Sequence, residues 1–260
     1  MNYFFFLDHP DQDLIPSVEL FNRPPMSIYF KKEVSKKNIY LFYVHNNLWK
    51  NEFYKSIDSD ESIIIKKTEL PLLLQKKTIF IGLTSKELSP DTAPFNDDSM
   101  KSIPAWRANI RISSEHTTTS YQGEIPGSFL NLKLSLTSCT PFIQVKDNIE
   151  NFFYLVNMSS NPIETEFNVE VLNSQKKILK KIICKTNCIN ITDLSFLREY
   201  NKENMYIFRS KDHGGIPLYF ARTFQNKSLS LEHTHPPQEY LFLGNRNFYQ
   251  KKKKSFWLND

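Results

Sequence analysis

The chain has 260 residues and carries 33 Lys and Arg against 28 Asp and Glu, a formal net charge of +5 with a sequence pI near 8.9. That length makes one large domain or two of ordinary size, and either buries a core without help from disulfides. Only 6 glycines stand beside 21 Phe and 12 Tyr, and neither the dinucleotide-binding nor the P-loop glycine spacing occurs, which excludes nucleotide chemistry of those kinds.

At the start, NYFFFL runs straight into DHPDQD. The apolar run is too short and its flank too acidic for a secretory signal. Strand-like runs then follow at 27–30, 39–45, 62–66, 78–83, 108–113, 131–136, 151–157, 164–172, 177–184, 205–209, 217–223 and 227–235, each with period-two alternation or a short apolar centre rich in Ile, Val, Phe, Tyr or Thr. Between them lie turn clusters such as Asn46-Asn47, Asp58-Ser59-Asp60 and Asp212-His213-Gly214-Gly215. Helical patterns are scarce, with candidates at 71–76 and at 193–200, the latter opened by a Thr192 or Asp193 cap.

Many short antiparallel strands with few helices indicate an all-β chain of two packed β-sandwich halves, immunoglobulin-like or jelly-roll-like. The expected division is an N-terminal domain over 1–146, with a long Pro-, Ser- and Asp-rich loop near 84–105, and a C-terminal domain over 147–260 that ends in a basic tail. One large double-sheet domain is the competing arrangement. The tripeptide Glu115-His116-Thr117 recurs as Glu232-His233-Thr234, each time after two alternating aliphatic residues, which hints at an internal duplication.

The charge excess is spread over lysine pairs, such as Lys31-Lys32 and Lys76-Lys77, and the run 251–254. Spread in this way, lysines serve as solvated turns and strand edges, so no specific nucleic-acid partner is expected. Three cysteines, Cys139, Cys184 and Cys188, form an odd set without a disulfide framework, which suits a reducing, cytoplasmic location. No stretch approaches the roughly 18 apolar residues of a membrane span.

The stretch SLSLEHTHPPQEY carries the strongest candidate site. Side chains alternate between sheet faces, so Leu229, Leu231, His233 and His235 share one face, and the imidazoles extend an apolar row toward the strand end. Two imidazoles on one strand face can share a divalent transition metal, and Glu239, four residues on, is the carboxylate that completes a three-ligand set. The spacing His-x-His-x3-Glu resembles the first metal motif of the cupin family. Lys227 stands where that motif has a leading glycine, and the 16 residues after Gly244 leave no room for the family's second motif, so the chain is not assigned to it. Glu115 and Glu232 are the carboxylates available for proton transfer in such a metal-dependent hydrolase or oxygenase.

A second set points to binding. Trp106, Arg107, His116, Tyr121, Glu124 and His213 combine aromatic faces with charged and imidazole groups, the mixture that stacks on sugar rings and hydrogen-bonds their hydroxyls. Each of these residues also has an ordinary structural use, since a chain rich in aromatics places some beside polar groups anywhere. The leading expectation is therefore a β-sandwich binding protein, directed at a glycan or small molecule, whose His-lined pocket at strand ends is shared by the two halves. No cofactor is required by that reading, whereas the metal-dependent enzyme requires a divalent transition metal. A structural or assembly protein that recruits a further chain through exposed strand edges is the third expectation, and the oligomeric state is left open.

Overall fold

The computed structural model describes residues 1–22, 36–96, 108–131, 134–140, 148–200, 205–223, 225, 227–233, 252 and 255–259. They divide into two compact units, Met1–Leu132 with Met158–Ile163, and Lys133–Asn157 with Glu164–Asp260. The first unit carries β1 (Asn2–Phe5), β2 (Ile15–Phe21), β3 (Lys37–His45), β4 (Leu48–Ile57), β5 (Ser62–Lys66), α1 (Leu72–Gln75), β6 (Phe80–Thr84), β7 (Ala108–Ser113), β8 (Thr118–Gly123) and β9 (Ile125–Pro126). These strands form two antiparallel sheets, ordered β4-β3-β6-β1-β9 and β5-β2-β7-β8. The second unit carries β10 (Leu136–Thr140), β11 (Ile149–Val156), β12 (Glu166–Leu172), β13 (Ile178–Lys185), β14 (Ile189–Asp193), β15 (Tyr206–Ser210), β16 (Ile216–Thr223) and β17 (Leu229–His233). Its two antiparallel sheets are ordered β10-β15-β12-β13 and β14-β11-β16-β17.

The two units repeat one plan. β13-β12-β15-β10 answers β4-β3-β6-β1, and β14-β11-β16-β17 answers β5-β2-β7-β8, strand for strand in chain order. A buried asparagine marks the correspondence. Asn22 follows β2 and donates its side-chain amide to the carbonyls of Ile57 (3.1 Å) and Asp58 (3.0 Å), in the connection from β4 to β5. Asn157 follows β11, and its Oδ1 accepts the amide of Asn187 (3.1 Å), in the connection from β13 to β14. Both connections turn through a left-handed residue, Asp60 (φ 63°) and Asn187 (φ 55°), a conformation that short polar side chains tolerate. The tripeptide echo does not mark this repeat. Glu115 and His116 lie in the turn between β7 and β8, whereas Glu232 and His233 end β17, the counterpart of β8.

All-β architecture is thus present, as expected. The sheet orders do not by themselves make either half an immunoglobulin-like or jelly-roll-like sandwich. In the second unit, Phe153 and Leu155 of β11 share a buried cluster with Phe167, Val169 and Val171 of β12 and Phe208 of β15. The rings of Phe153 and Phe208 stack at 4.3 Å, a contact between β11 and β15 of the two sheets. The helix expected over 71–76 is α1, Leu72–Gln75, and the helix expected over 193–200 is a 3-10 segment, Ser195–Tyr200, whose first amide is capped by Asp193 Oδ1 at 2.8 Å.

Other elements differ from the sequence reading. Gly127–Asn131 is a 3-10 segment and β10 begins only at Leu136, because the apolar run there splits between a turn and a strand. The ten-residue β4 was hidden by its polar content, Lys50, Asn51, Glu52, Lys55 and Ser56. It forms because Asn46 and Asn47, both at positive φ (51° and 58°), make a tight hairpin turn that hands β3 its partner. The strand expected at 27–30 lies outside the described residues. In the long loop, described residues 85–96 carry neither helix nor strand, and the loop is fastened where Asn51 Nδ2 donates to the carbonyls of Ser89 (2.7 Å) and Thr92 (3.1 Å). No helix among the described residues is long and apolar enough to cross a membrane.

Candidate functional site

β17 runs antiparallel to β16 with Leu218 opposite His233, Phe220 opposite Leu231 and Arg222 opposite Leu229. The end of β17 therefore lies at the start of β16, and the residues directly before β16 are His213, Gly214 and Gly215. Register alone brings His213 and His233 to one end of the β14-β11-β16-β17 sheet. The same end holds the close of β11 and the opening of β14, since Val156 pairs with both Ile216 and Ile189.

Asn157 ties these loops together. Its Nδ2 donates to the carbonyl of Gly214 at 2.6 Å, its Oδ1 accepts from the Asn187 amide, and its own amide donates to the carbonyl of Cys188 at 3.0 Å. A buried side chain that satisfies donor and acceptor on two different loops fixes both, because breaking either contact leaves a polar group without water. The two glycines serve close approach. A Cβ on Gly215 would come 2.2 Å from the Val156 carbonyl oxygen, and one on Gly214 would meet the Leu134 Cβ at 2.8 Å. Positive φ, the other use of paired glycines, is not adopted by either residue.

On this framework His213 is half-buried, with its ring 4.6 Å from that of Phe167 and tilted by 34°. His233 is half-buried too, on the face shared with Leu229 and Leu231, as the alternation requires. Glu232 takes the opposite face, where it is exposed and lies across from Tyr219. The carboxylate assigned to proton transfer is therefore turned away from the imidazole that it was to assist. Beneath Glu232's side of the sheet, the Tyr219 hydroxyl shares a 2.9 Å hydrogen bond with Ser138 Oγ, and burial pushes its pKa up. The Cys184 thiol is pushed up to about 12 by burial and by the charge of Cys188, so it is no nucleophile near neutral pH.

The remaining candidates sit in the first unit. Glu115 and His116 occupy the four-residue turn after β7, where Ser114 Oγ accepts the amides of His116 and Thr117, each at 3.2 Å. The turn interrupts the strand, so His116 does not continue the face of Ile110 and Ile112. Its Nε2 lies 4.0 Å from Glu115 Oε2, and both side chains are open to solvent, at 54% and 89% exposure. Tyr121 lies on the buried side of β8, with its ring so close over Gly123 that a Cβ there would meet Cζ at 2.1 Å. Glu124 is half-buried in the bend after β8. β8 spans about 17 Å and separates Glu124 at one end from the Glu115-His116 turn at the other, so these four do not form one site.

Trp106, Arg107, His235 and Glu239 lie outside the described residues. Among the described residues, no group of three or more His, Cys, Asp or Glu side chains is gathered to hold a metal ion. Asn157 is the site residue that sequence reading missed. Its signal is the match between Phe21-Asn22 and Val156-Asn157, each at the end of an apolar strand. No family model matches the chain, and comparison with curated proteins and with solved structures finds no match either.

Proposed function

We propose that the chain is a non-catalytic binding protein whose halves are sandwich-type sheet pairs, and that its ligand site is the end of the β14-β11-β16-β17 sheet marked by His213 and His233. The observation that carries this reading is the register that sets the two imidazoles at one sheet end, over loops held by Asn157. A rigid frame with half-buried polar rings at its rim binds without a large ordering cost. The stacked rings of Phe153 and Phe208 support the sandwich assignment, and a glycan is the ligand class that the His213 imidazole beside the Phe167 ring suits best.

The test is calorimetric titration and thermal shift of the purified chain against a glycan panel, repeated with His213→Ala and His233→Ala. A ligand that raises the melting temperature of the parent and loses about tenfold in affinity in either variant, the worth of one or two lost hydrogen bonds, is the expected result. A panel with no shift, or a ligand held equally by both variants, ends this reading.

A second reading, a metal-dependent enzyme, is favoured by one observation, the arrival of His213 at the end where His233 stands. There His233, with His235 and Glu239, would hold a divalent transition metal. Elemental analysis of protein purified without chelators separates the two readings. Less than about 0.2 equivalents of transition metal, unchanged in a His233→Ala, His235→Ala variant, rules out the tightly held ion that a three-ligand site implies.

A further inference from the structure

Lys251–Lys254 and the residues after them read, in sequence, as an exposed basic tail. In the structure the helical turn 255–258, exposed at Ser255 and Phe256, also touches the β10-β15-β12-β13 sheet through Trp257, on the face opposite the core. A cross-strand row runs over that face, Thr137 opposite Arg209, Arg209 opposite Glu170, and Glu170 opposite Lys181. Arg209 is 3% exposed and donates through Nε (2.9 Å) and Nη2 (2.6 Å) to Glu170 Oε2. Its remaining nitrogen, Nη1, donates to the main-chain carbonyl of Trp257 at 3.0 Å. From the turn between β12 and β13, Lys176 donates to the carbonyl of Asn259 at 3.0 Å and sets its ammonium 3.9 Å above the Phe256 ring.

Those two carbonyls belong to the closing end of a helical turn, where carbonyls lack partners within the helix. Two cations meet them, and a third contact, ammonium on aromatic ring, reads a side chain. Arg209 and Lys176 thus select a terminal helical turn by its free carbonyls and its aromatic residue. Nothing in these contacts requires that the turn be covalently attached.

We propose that this face of the second unit is a peptide-docking surface, occupied in cis by the chain's own Ser-Phe-Trp-Leu turn, and that its partner is a segment of the same kind, a helical turn with an aromatic at the position of Phe256. Between β17 and Lys251 run 17 residues, 234–250. Covalent attachment through a link of that length raises the effective concentration of the tail to about 1 mM, which keeps a free competitor out while the tail is intact.

The experiment uses the full-length chain and a fluorescein-labelled decapeptide with the sequence of residues 251–260. Fluorescence anisotropy is read with the parent, with a tail-loosened variant (Phe256→Ala, Leu258→Pro), and with that variant carrying Lys176→Ala. The peptide is expected to bind the tail-loosened chain at least about tenfold more tightly than the parent, and to lose about five- to tenfold of that affinity when Lys176 is removed. The peptide carries four lysines and the protein is itself net basic, at +5, so net charge repulsion works against unspecific binding. Equal binding to parent and loosened chain, or no effect of Lys176→Ala in a chain whose circular dichroism is unchanged, overturns the proposal. Hydrogen exchange on the parent supplies a measurement free of variants. Amides of 255–259 should exchange at least about fivefold more slowly than in the free decapeptide, as docking requires, and equal rates likewise overturn it.

Discussion

The two units share a strand order and differ in what one sheet presents on its second face. With Asn22 set against Asn157, Ser17 corresponds to Phe152 and Glu19 to Tyr154; through the pairings of β7 and β16, Asn109 corresponds to Leu218 and Arg111 to Phe220. In the first unit these positions form a polar network, in which Glu19 accepts from Arg111 and, at 3.0 Å, from Asn109. In the second, Tyr154, Leu218 and Phe220 are buried to 1% exposure or less. The strand order is evidently carried by the other face and by the turns, since it survives a complete change of chemistry here. The second face is where the two units differ most, and His233 stands on it, at the position that Gln122 holds in the first unit.

The sharpest way to break this comparison is to remove corresponding side chains. Tyr154→Ala should cost about 3–5 kcal/mol in denaturant unfolding, as truncation of a buried aromatic does, whereas Glu19→Ala should cost about 1 kcal/mol or less, the worth of a partly exposed ion pair. Similar costs would show that the second faces are not in different environments. Next in size are the paired asparagines. Asn22→Ala and Asn157→Ala should each cost about 2–3 kcal/mol, because each strands two buried main-chain groups, and the two values should agree within about 1 kcal/mol. A neutral substitution at either position would remove the basis for aligning the units there.

The smallest effect is a pH dependence contributed by the second unit, which holds all three cysteines. Cys184 has its pKa pushed from near 9 to about 12 by burial, so the folded chain binds this proton more tightly than the unfolded one. Its contribution to stability is whole below pH 9 and is lost as the pH climbs toward 12. Stability curves between about pH 8 and 9, below the ordinary tyrosine pKa of about 10, should slope downward in the parent and less so in Cys184→Ala. Identical slopes would place that thiol in water.

Much of the fold was legible because alternation is a local signal. β7 could be read to the residue, and the row of Leu229, Leu231 and His233 needed only the two-residue period of a strand. β4 was illegible for the converse reason, since its exposed faces carry charged residues and only its pairing with β3 makes it a strand. The candidate site divided the same way. His233 was visible on its face, but extending the face of β7 through Ser114 to His116 failed, because a serine-capped turn resets the alternation.

By itself, the sequence determined that the chain is all-β, where its polar turns fall, and which side of β17 carries imidazole. Those are consequences of φ preferences and of side-chain period, which act over a few residues. Only tertiary structure decided that β17 pairs with β16 in the register that brings His213 beside the end holding His233, that Asn157 closes the loops there, and that Arg209 covers its charge with the chain's last turn. Such contacts join residues tens of positions apart. They are selected by the burial and hydrogen bonding of the assembled sheets, to which no single stretch of sequence has access.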